Sequence, residues 1–166
     1  MDNIGSLFGR EIGQYWNDLA AWEEVLNENP QFESIIEIGT WQGGMSYFLS
    51  TQAEARGLDF KTFDINNPQK PVPYFYKGDV FEIGVLRFLE CSIVLCDGGN
   101  KSKEAKLCSE ILHKEGCIAV HDWETEFHWY DIPKGYRIYK LTSHTVFLMR
   151  EDYLNEREVT DGRRYP

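Results

Sequence analysis

The chain has 166 residues, enough for one domain around a single sizeable core. A hydrophobic content of 42% excludes a disordered polymer, and a net charge of −10 works against nucleic acid, whose phosphates need clustered Lys and Arg. No run approaches the roughly 20 apolar residues of a membrane span, and Met1–Gly5 lacks the basic and apolar stretches of a leader, so a soluble cytoplasmic protein acting on a small molecule is expected.

The first ten residues show no clear period and read as a loose lead-in. Apolar residues then recur at Tyr15/Trp16, Leu19, Trp22 and Val25/Leu26, which predicts a helix over Ile12–Asn27 that Asn29-Pro30 ends. Residues 1–30 thus form a helical extension ahead of a core over 32–150, all within one domain. Its aromatics Tyr15, Trp16 and Trp22 make a homodimer an expectation. Ser34–Ile38 is an apolar, β-branched strand. The next helix carries Met45, Phe48, Leu49 and Ala53 on one face and stops at Arg56-Gly57, where Gly suits the C′ position.

Phe60–Ile65 reads as a strand, residues 66–73 as a proline-rich loop, and Tyr74–Tyr76 as a short strand. A helix over Val80–Glu90, weakened by Gly84, leads to the apolar strand Ser92–Cys96. Lys101–Glu115 is the clearest helix, with Ala105, Cys108, Ile111 and Leu112 on one face, and Cys117–Val120 is the next strand. Residues 124–135 are irregular. Tyr136–Leu141 and Thr145–Met149 alternate as two strands, and a charged tail runs from Glu151 to Pro166. The four cysteines (Cys91, Cys96, Cys108, Cys117) form no CxxC pair and read as free thiols of a reducing compartment.

Strands alternating with helices predict a Rossmann-like three-layer αβα sandwich with a mostly parallel sheet. The short link at 142–144 admits only antiparallel neighbours, so a hairpin closes one edge. Ligands of such sheets bind beyond the carboxyl ends of the strands, at the switch point. The polar clusters sit there: Glu37, Asp64, Asp79, Asp97 and His121-Asp122 each end a strand.

After Glu37 the run Gly39-Thr40-Trp41-Gln42-Gly43-Gly44 is a turn through which backbone can approach a ligand, leading into a helix near Ser46. A carboxylate at that strand end repels pyrophosphate but suits amino and sulfonium charge, which points to S-adenosylmethionine (SAM) rather than a dinucleotide. Asp64, with Ile65 behind it, can accept hydrogen bonds from both ribose hydroxyls. Gly78-Asp79-Val80 can meet the adenine amino group, and Asp79 is equally suited to cap a helix. Asp97-Gly98 borders the same place. Asp97, His121 and Asp122 converge as a set for a divalent metal, Mg2+ or Mn2+. The alternative is that Asp97 borders the cofactor while His121-Asp122 bonds nearby backbone.

These pieces, Glu37–Gly44, Phe63-Asp64, Gly78-Asp79, Cys96–Gly98 and Gly116–Asp122, resemble the successive motifs of class I SAM-dependent methyltransferases. Within that group they are most similar to macrocin-type sugar O-methyltransferases, cephalosporin hydroxylase-like proteins and, more distantly, catechol O-methyltransferase. The resemblance covers residues 32–150 and implies a seven-stranded sheet. It also implies SAM held through Glu37, Gly39–Gly44, Asp64 and Asp79-Val80, with Asp97, His121 and Asp122 at the metal positions. Two residues depart from that pattern. Imidazole is a poor magnesium ligand, so His121 leaves the metal resting on Asp97 and Asp122, a softer ion, or none. Asn100 stands where relatives carry a His or Lys and takes no proton at neutral pH, which leaves Lys101, His121 or His128 as the base.

The expected activity is methyl transfer from SAM to a hydroxyl of a small molecule, with Trp41, Trp123, His128, Trp129 and Tyr130 available as pocket walls. A SAM-binding module without catalysis is the first rival, favoured by Asn100. A nicotinamide-dependent oxidoreductase is the second, disfavoured because the chain lacks G-x-G-x-x-G.

Overall fold

The computed structural model describes residues 3–83 and 91–161. The chain opens with a two-stranded hairpin, β1 (Asn3–Leu7) and β2 (Arg10–Tyr15), and then enters α1 (Trp16–Glu28). There follow β3 (Ser34–Ile38), α2 (Gly44–Arg56), β4 (Asp59–Asp64), β5 (Phe75–Lys77), a short α3 (Val80–Ile83) and β6 (Ser92–Cys96). The remainder is α4 (Lys101–Ile111), β7 (Cys117–His121), a 3-10 turn at Trp129–Asp131, β8 (Tyr136–Leu141), β9 (Thr145–Arg150) and α5 (Glu151–Asp161).

Seven strands form one sheet in the order β5-β4-β3-β6-β7-β9-β8. The pairs from β5 through β7 are parallel, and β9 runs antiparallel to both β7 and β8. Alternation along the buried strands sends one set of side chains to each face. Ile35, Ile93, Leu95, Ala119 and Phe147 pack with Trp22 of α1, Leu49 of α2 and Leu154 of α5. Ile36, Val94, Ile118, Val146 and Leu148 pack with Ala105 and Cys108 of α4. The sheet is thus covered on both sides, as near-continuous apolar strands require.

Direction reverses between β3 and β6, because the chain moves outward from β3 through β4 to β5 and then returns to β6. Ile38 is in register with Cys96, so Gly39 and Asp97 emerge side by side at this switch point. A Cβ on Gly39 would stand 2.3 Å from the Asp97 carbonyl oxygen, and its φ is +97°. Glycine is needed there to let two strand ends leave the sheet together.

Three expectations are corrected. The lead-in and the start of the predicted helix are instead the β1–β2 hairpin, whose link Phe8-Gly9 has φ of 52° and 69°. That is a type I′ turn matched to the twist of its strands. Gly5, at φ 70°, accompanies a register shift in β1. The expected polar tail is helix α5, with Leu154 fully buried. Helix α4 ends at Ile111 instead of Glu115, since Leu112 turns to an extended conformation. The predicted helix to Glu90 lies outside the described residues beyond Ile83. Of the aromatics behind the expected dimer, Trp22 is buried and Tyr15 stacks on His144 at 3.9 Å, while Trp16 is exposed. Cys96, Cys108 and Cys117 are buried and form no disulfide, as expected of structural thiols, while Cys91 is half-buried. No helix among the described residues is long and apolar enough to cross a membrane.

Candidate functional site

A cleft of about 650 Å³ opens over the switch point, within the usual range of small-molecule sites. Of the expected residues, Gly39, Trp41, Asp64, Ile65, Gly78, Asp79 and Val80 line it. So do Asp97, Gly98, Asn100, His121 and Asp122. Glu37, Thr40, Gly43, Gly44 and Ser46 do not, and they are all buried. Of the expected pocket walls only Trp41 borders the cleft; Trp123 is buried and packs on Phe127, while Trp129 and Tyr130 are exposed.

The residues set back from the cleft form a frame beneath it. Glu37 is 1% exposed and accepts hydrogen bonds from the hydroxyls of Ser46 and Thr62, the latter at 2.6 Å, while Thr40 bonds Thr62 at 2.6 Å. Burial pushes the Glu37 carboxyl up to about 8, with the hydroxyls pulling the other way and Asp97 and Asp64 adding to the rise. Burial thus favours the protonated form of Glu37 near neutral pH. Gly44 makes room for the hairpin, since a Cβ there would meet the Glu11 carbonyl oxygen at 2.3 Å, and Gly43 makes room for the proline-rich loop, where a Cβ would meet Val72 at 2.4 Å. The glycine-rich turn is thus shaped by protein packing at three of its positions, Gly39 included.

The cleft's own carboxylates are tied to backbone. Asp64 accepts from the Trp41 N–H at 3.0 Å through one oxygen and from the Asn66 N–H at 2.8 Å through the other. Trp41 adopts a left-handed φ of 45°, a conformation that costs a non-glycine residue free energy; the bond to Asp64 holds it beside the cleft. Asp79 caps α3 by accepting from the Phe81 N–H at 2.9 Å. Asn100 caps α4, accepting from the Lys103 N–H at 3.1 Å.

Beyond Asp97 the charges interlock. His121 Nδ1 lies 3.3 Å from Asp97 Oδ1 and 3.3 Å from Asp122 Oδ1. Burial works against the imidazolium, but the hydrogen bonds and charges of Asp122 and Asp97 outweigh it and raise His121 to about 10. Asp122 is held well below the usual carboxylate range, chiefly by His121 and then by Lys101. It sits at φ 58°, and its carbonyl gathers the N–H groups of Thr125, Glu126 and Phe127. The Lys101 ammonium lies 3.0 Å from Asp122 Oδ2, 2.7 Å from Glu126 and 3.6 Å from Asp97 Oδ1. Its charged form is further stabilised by these neighbours, although burial opposes it.

Asp97, His121 and Asp122 do bring their ligand atoms within 4.8 Å of one another, as the sequence predicts. The donor set nevertheless does not fit a divalent ion. His121 Nδ1 already faces both carboxylates at 3.3 Å, and the Lys101 ammonium stands before both.

Four neighbours were not legible in the sequence. Gly13 lines the cleft, and Gln14, 1% exposed, donates to Asp97 Oδ2 at 3.2 Å. Both were assigned to a helix, which hid them. Glu104 accepts from the Gly98 and Asn100 N–H groups at 3.1 Å each and shapes the loop; Asn100 followed by Glu104 at the start of a helix was the available signal. Glu126 had none, coming from an irregular stretch.

No family model matches the chain, and no curated protein matches it. Solved structures share its fold. CmcI in its N160 form with SAH superposes with a TM-score of 0.58 at 14% identity, over 74% of this chain and 69% of that one. CmcI in its D160 form with Mg and SAM gives 0.53 at 18%, over 70% and 56%. MtNAS in complex with MTA and tNA gives 0.54 at 15%, over 81% and 59%. The chain spans 56% of one CmcI form and 59% of MtNAS, so the likeness is one of core fold.

Proposed function

We propose that the protein binds SAM in the switch-point cleft and transfers its methyl group to an oxygen of a small molecule. The observation that carries this reading is the convergence of Asp64, Asp79, Asp97 and Asp122 on one cleft. The residues fit the cofactor. Each Asp64 oxygen spends one acceptor position on a loop N–H and, having about two lone-pair sites, keeps another for a ribose hydroxyl. Ile65, Val80 and Phe81 supply apolar surface for adenine. SAM, when bound, supplies a methyl group made electrophilic by its sulfonium.

The protein's work is then positioning, which can supply several kcal/mol when the acceptor is held in line at about 3–3.5 Å. Trp41 and Gly13 both line the cleft. His121 Nδ1 and the Lys101 ammonium are engaged by Asp97 and Asp122, and the carboxylates that line the cleft are those of Asp64, Asp79, Asp97, Glu104 and Asp122. The CmcI complexes with SAH and with Mg and SAM, on the same core fold, support the cofactor assignment.

Calorimetric titration with SAM, SAH and NAD+ tests it. Binding of SAM and SAH is expected, and binding of NAD+ alone would overturn the reading. The second reading is a SAM-binding module without catalysis, favoured by the carboxylates that engage His121 and Lys101 and by the capping role of Asn100. SAM binding without turnover across a panel of hydroxylated, phenolic and carboxylate acceptors would establish it.

A further inference from the structure

The geometry points to Lys101 as a resident cation that takes the place of a divalent metal at the Asp97–Asp122 pair. Two carboxylates that converge at a half-buried point repel unless a cation stands between them. Lys101, in the first turn of α4, is 6% exposed and reaches back four residues to that point. Its three N–H donors have three acceptors within reach: Glu126 at 2.7 Å, Asp122 at 3.0 Å and the Gly98 carbonyl at 3.3 Å. An ammonium with three acceptors is satisfied and needs no further partner. Asp97 adds a fourth charge contact at 3.6 Å.

Lys101 and His121 together account for the shape of the cluster. Lys101 faces Oδ2 of Asp122, and His121 faces Oδ1 of the same residue and of Asp97. Magnesium requires oxygen ligands in near-octahedral array at about 2.0–2.1 Å. Here the carboxylate oxygens are already faced by His121 Nδ1 and the Lys101 ammonium, and a second cation would have to enter beside that ammonium. Lys101 is thus a positioning residue: it holds Asp122 and offsets the charge of Asp97 beside the cleft without a metal. The inference deepens the methyltransferase reading, but its test reads metal binding, so the failure of either leaves the other standing.

The test is Mn2+ and Mg2+ titration of the full chain by calorimetry and, for Mn2+, by electron paramagnetic resonance. All proteins would carry Cys91→Ser, because Cys91, His113 and Glu115 form the other group of ligand atoms within 4.8 Å among the described residues. The Lys101-bearing protein is expected to show no saturable site. Lys101→Ala, and Lys101→Met where the stem is needed for packing, are expected to bind Mn2+ at least about tenfold more tightly, because the competing charge is gone. Adding Asp122→Asn should abolish that gain. Stoichiometric Mn2+ binding with Lys101 intact, lost on Asp122→Asn, would overturn the inference. So would folded Lys101 variants that bind no more tightly than their parent. SAM titration of the same variants keeps the two readings apart.

Discussion

Replacing Glu37 with Gln should stabilise the fold, and the gain should grow with pH. Glu37 is 1% exposed, and its carboxyl is raised from 4.5 to about 8, foremost by burial. Below pH 4.5 it is protonated in the folded and unfolded chain alike, and there is no penalty. Between 4.5 and 8 the unfolded chain ionises while the folded one does not, so stability falls as pH rises; above 8 both are ionised and the penalty is constant. At about 1.4 kcal/mol per pH unit, the loss between pH 5 and pH 8 is about 3.5 kcal/mol. Gln cannot ionise, and its carbonyl can still accept from Ser46 and Thr62. Urea unfolding of both proteins at several pH values should give curves that diverge by about that amount, with equal m-values. Parallel curves from pH 5 to 8 would refute the reasoning. They would mean that Glu37 is charged in the folded protein, and then its carboxylate could serve a cationic ligand after all.

The other expectations concern single contacts. Asp64→Ala should weaken SAM binding by about 1–3 kcal/mol by calorimetry, through lost ribose bonds and a freed Trp41 loop; unchanged affinity would move the ribose elsewhere. His121 is raised to about 10, so its contribution to stability is full below its unfolded value of about 6.5 and is lost as pH rises toward 10. His121→Gln should flatten the stability profile between pH 8 and 10, where Glu37 no longer contributes. Gly44→Ala would set a Cβ against the Glu11 carbonyl and should undock the hairpin at a cost of about 1–3 kcal/mol, read as faster proteolysis before Trp16. An intact hairpin would show that the contact yields.

The core strands were legible because burial on both faces leaves apolar β-branched runs such as Ser34–Ile38 and Ser92–Cys96, and the acidic residues after them marked the cleft. The two ends of the chain were less legible for different physical reasons. The Phe8-Gly9 turn has the φ pair of an Asn-Gly link but not its composition, and the Tyr15, Leu19 and Trp22 spacing extended naturally backward into β2. Helix α5 carries one deeply buried apolar side chain, Leu154. Polar bonds such as Arg157 to Asn29, Arg137 to Glu158 and Lys114 to Glu156 help attach it, and hydropathy does not register them. In the site itself, residue type revealed the carboxylates but not their orientation. Glu37 looked like a ligand contact because strand ends face ligands; its burial depends on Thr62 and Ser46 closing over it, which is a matter of packing.

The hairpin that walls the cleft also bears on the order in which the molecule assembles. Gln14 meets Asp97 across 83 positions of sequence, Arg10 meets Pro71 across 61, and Asp18 meets Thr142 across 124. Contacts so distant need long loops to close, and the one to Thr142 waits until most of the chain has been made. A nascent or truncated chain can therefore possess β3, β4 and their acidic ends without possessing a cleft. Ligand recognition becomes a property that the fold acquires last, and a bound ligand would report that the two ends of the chain have found each other.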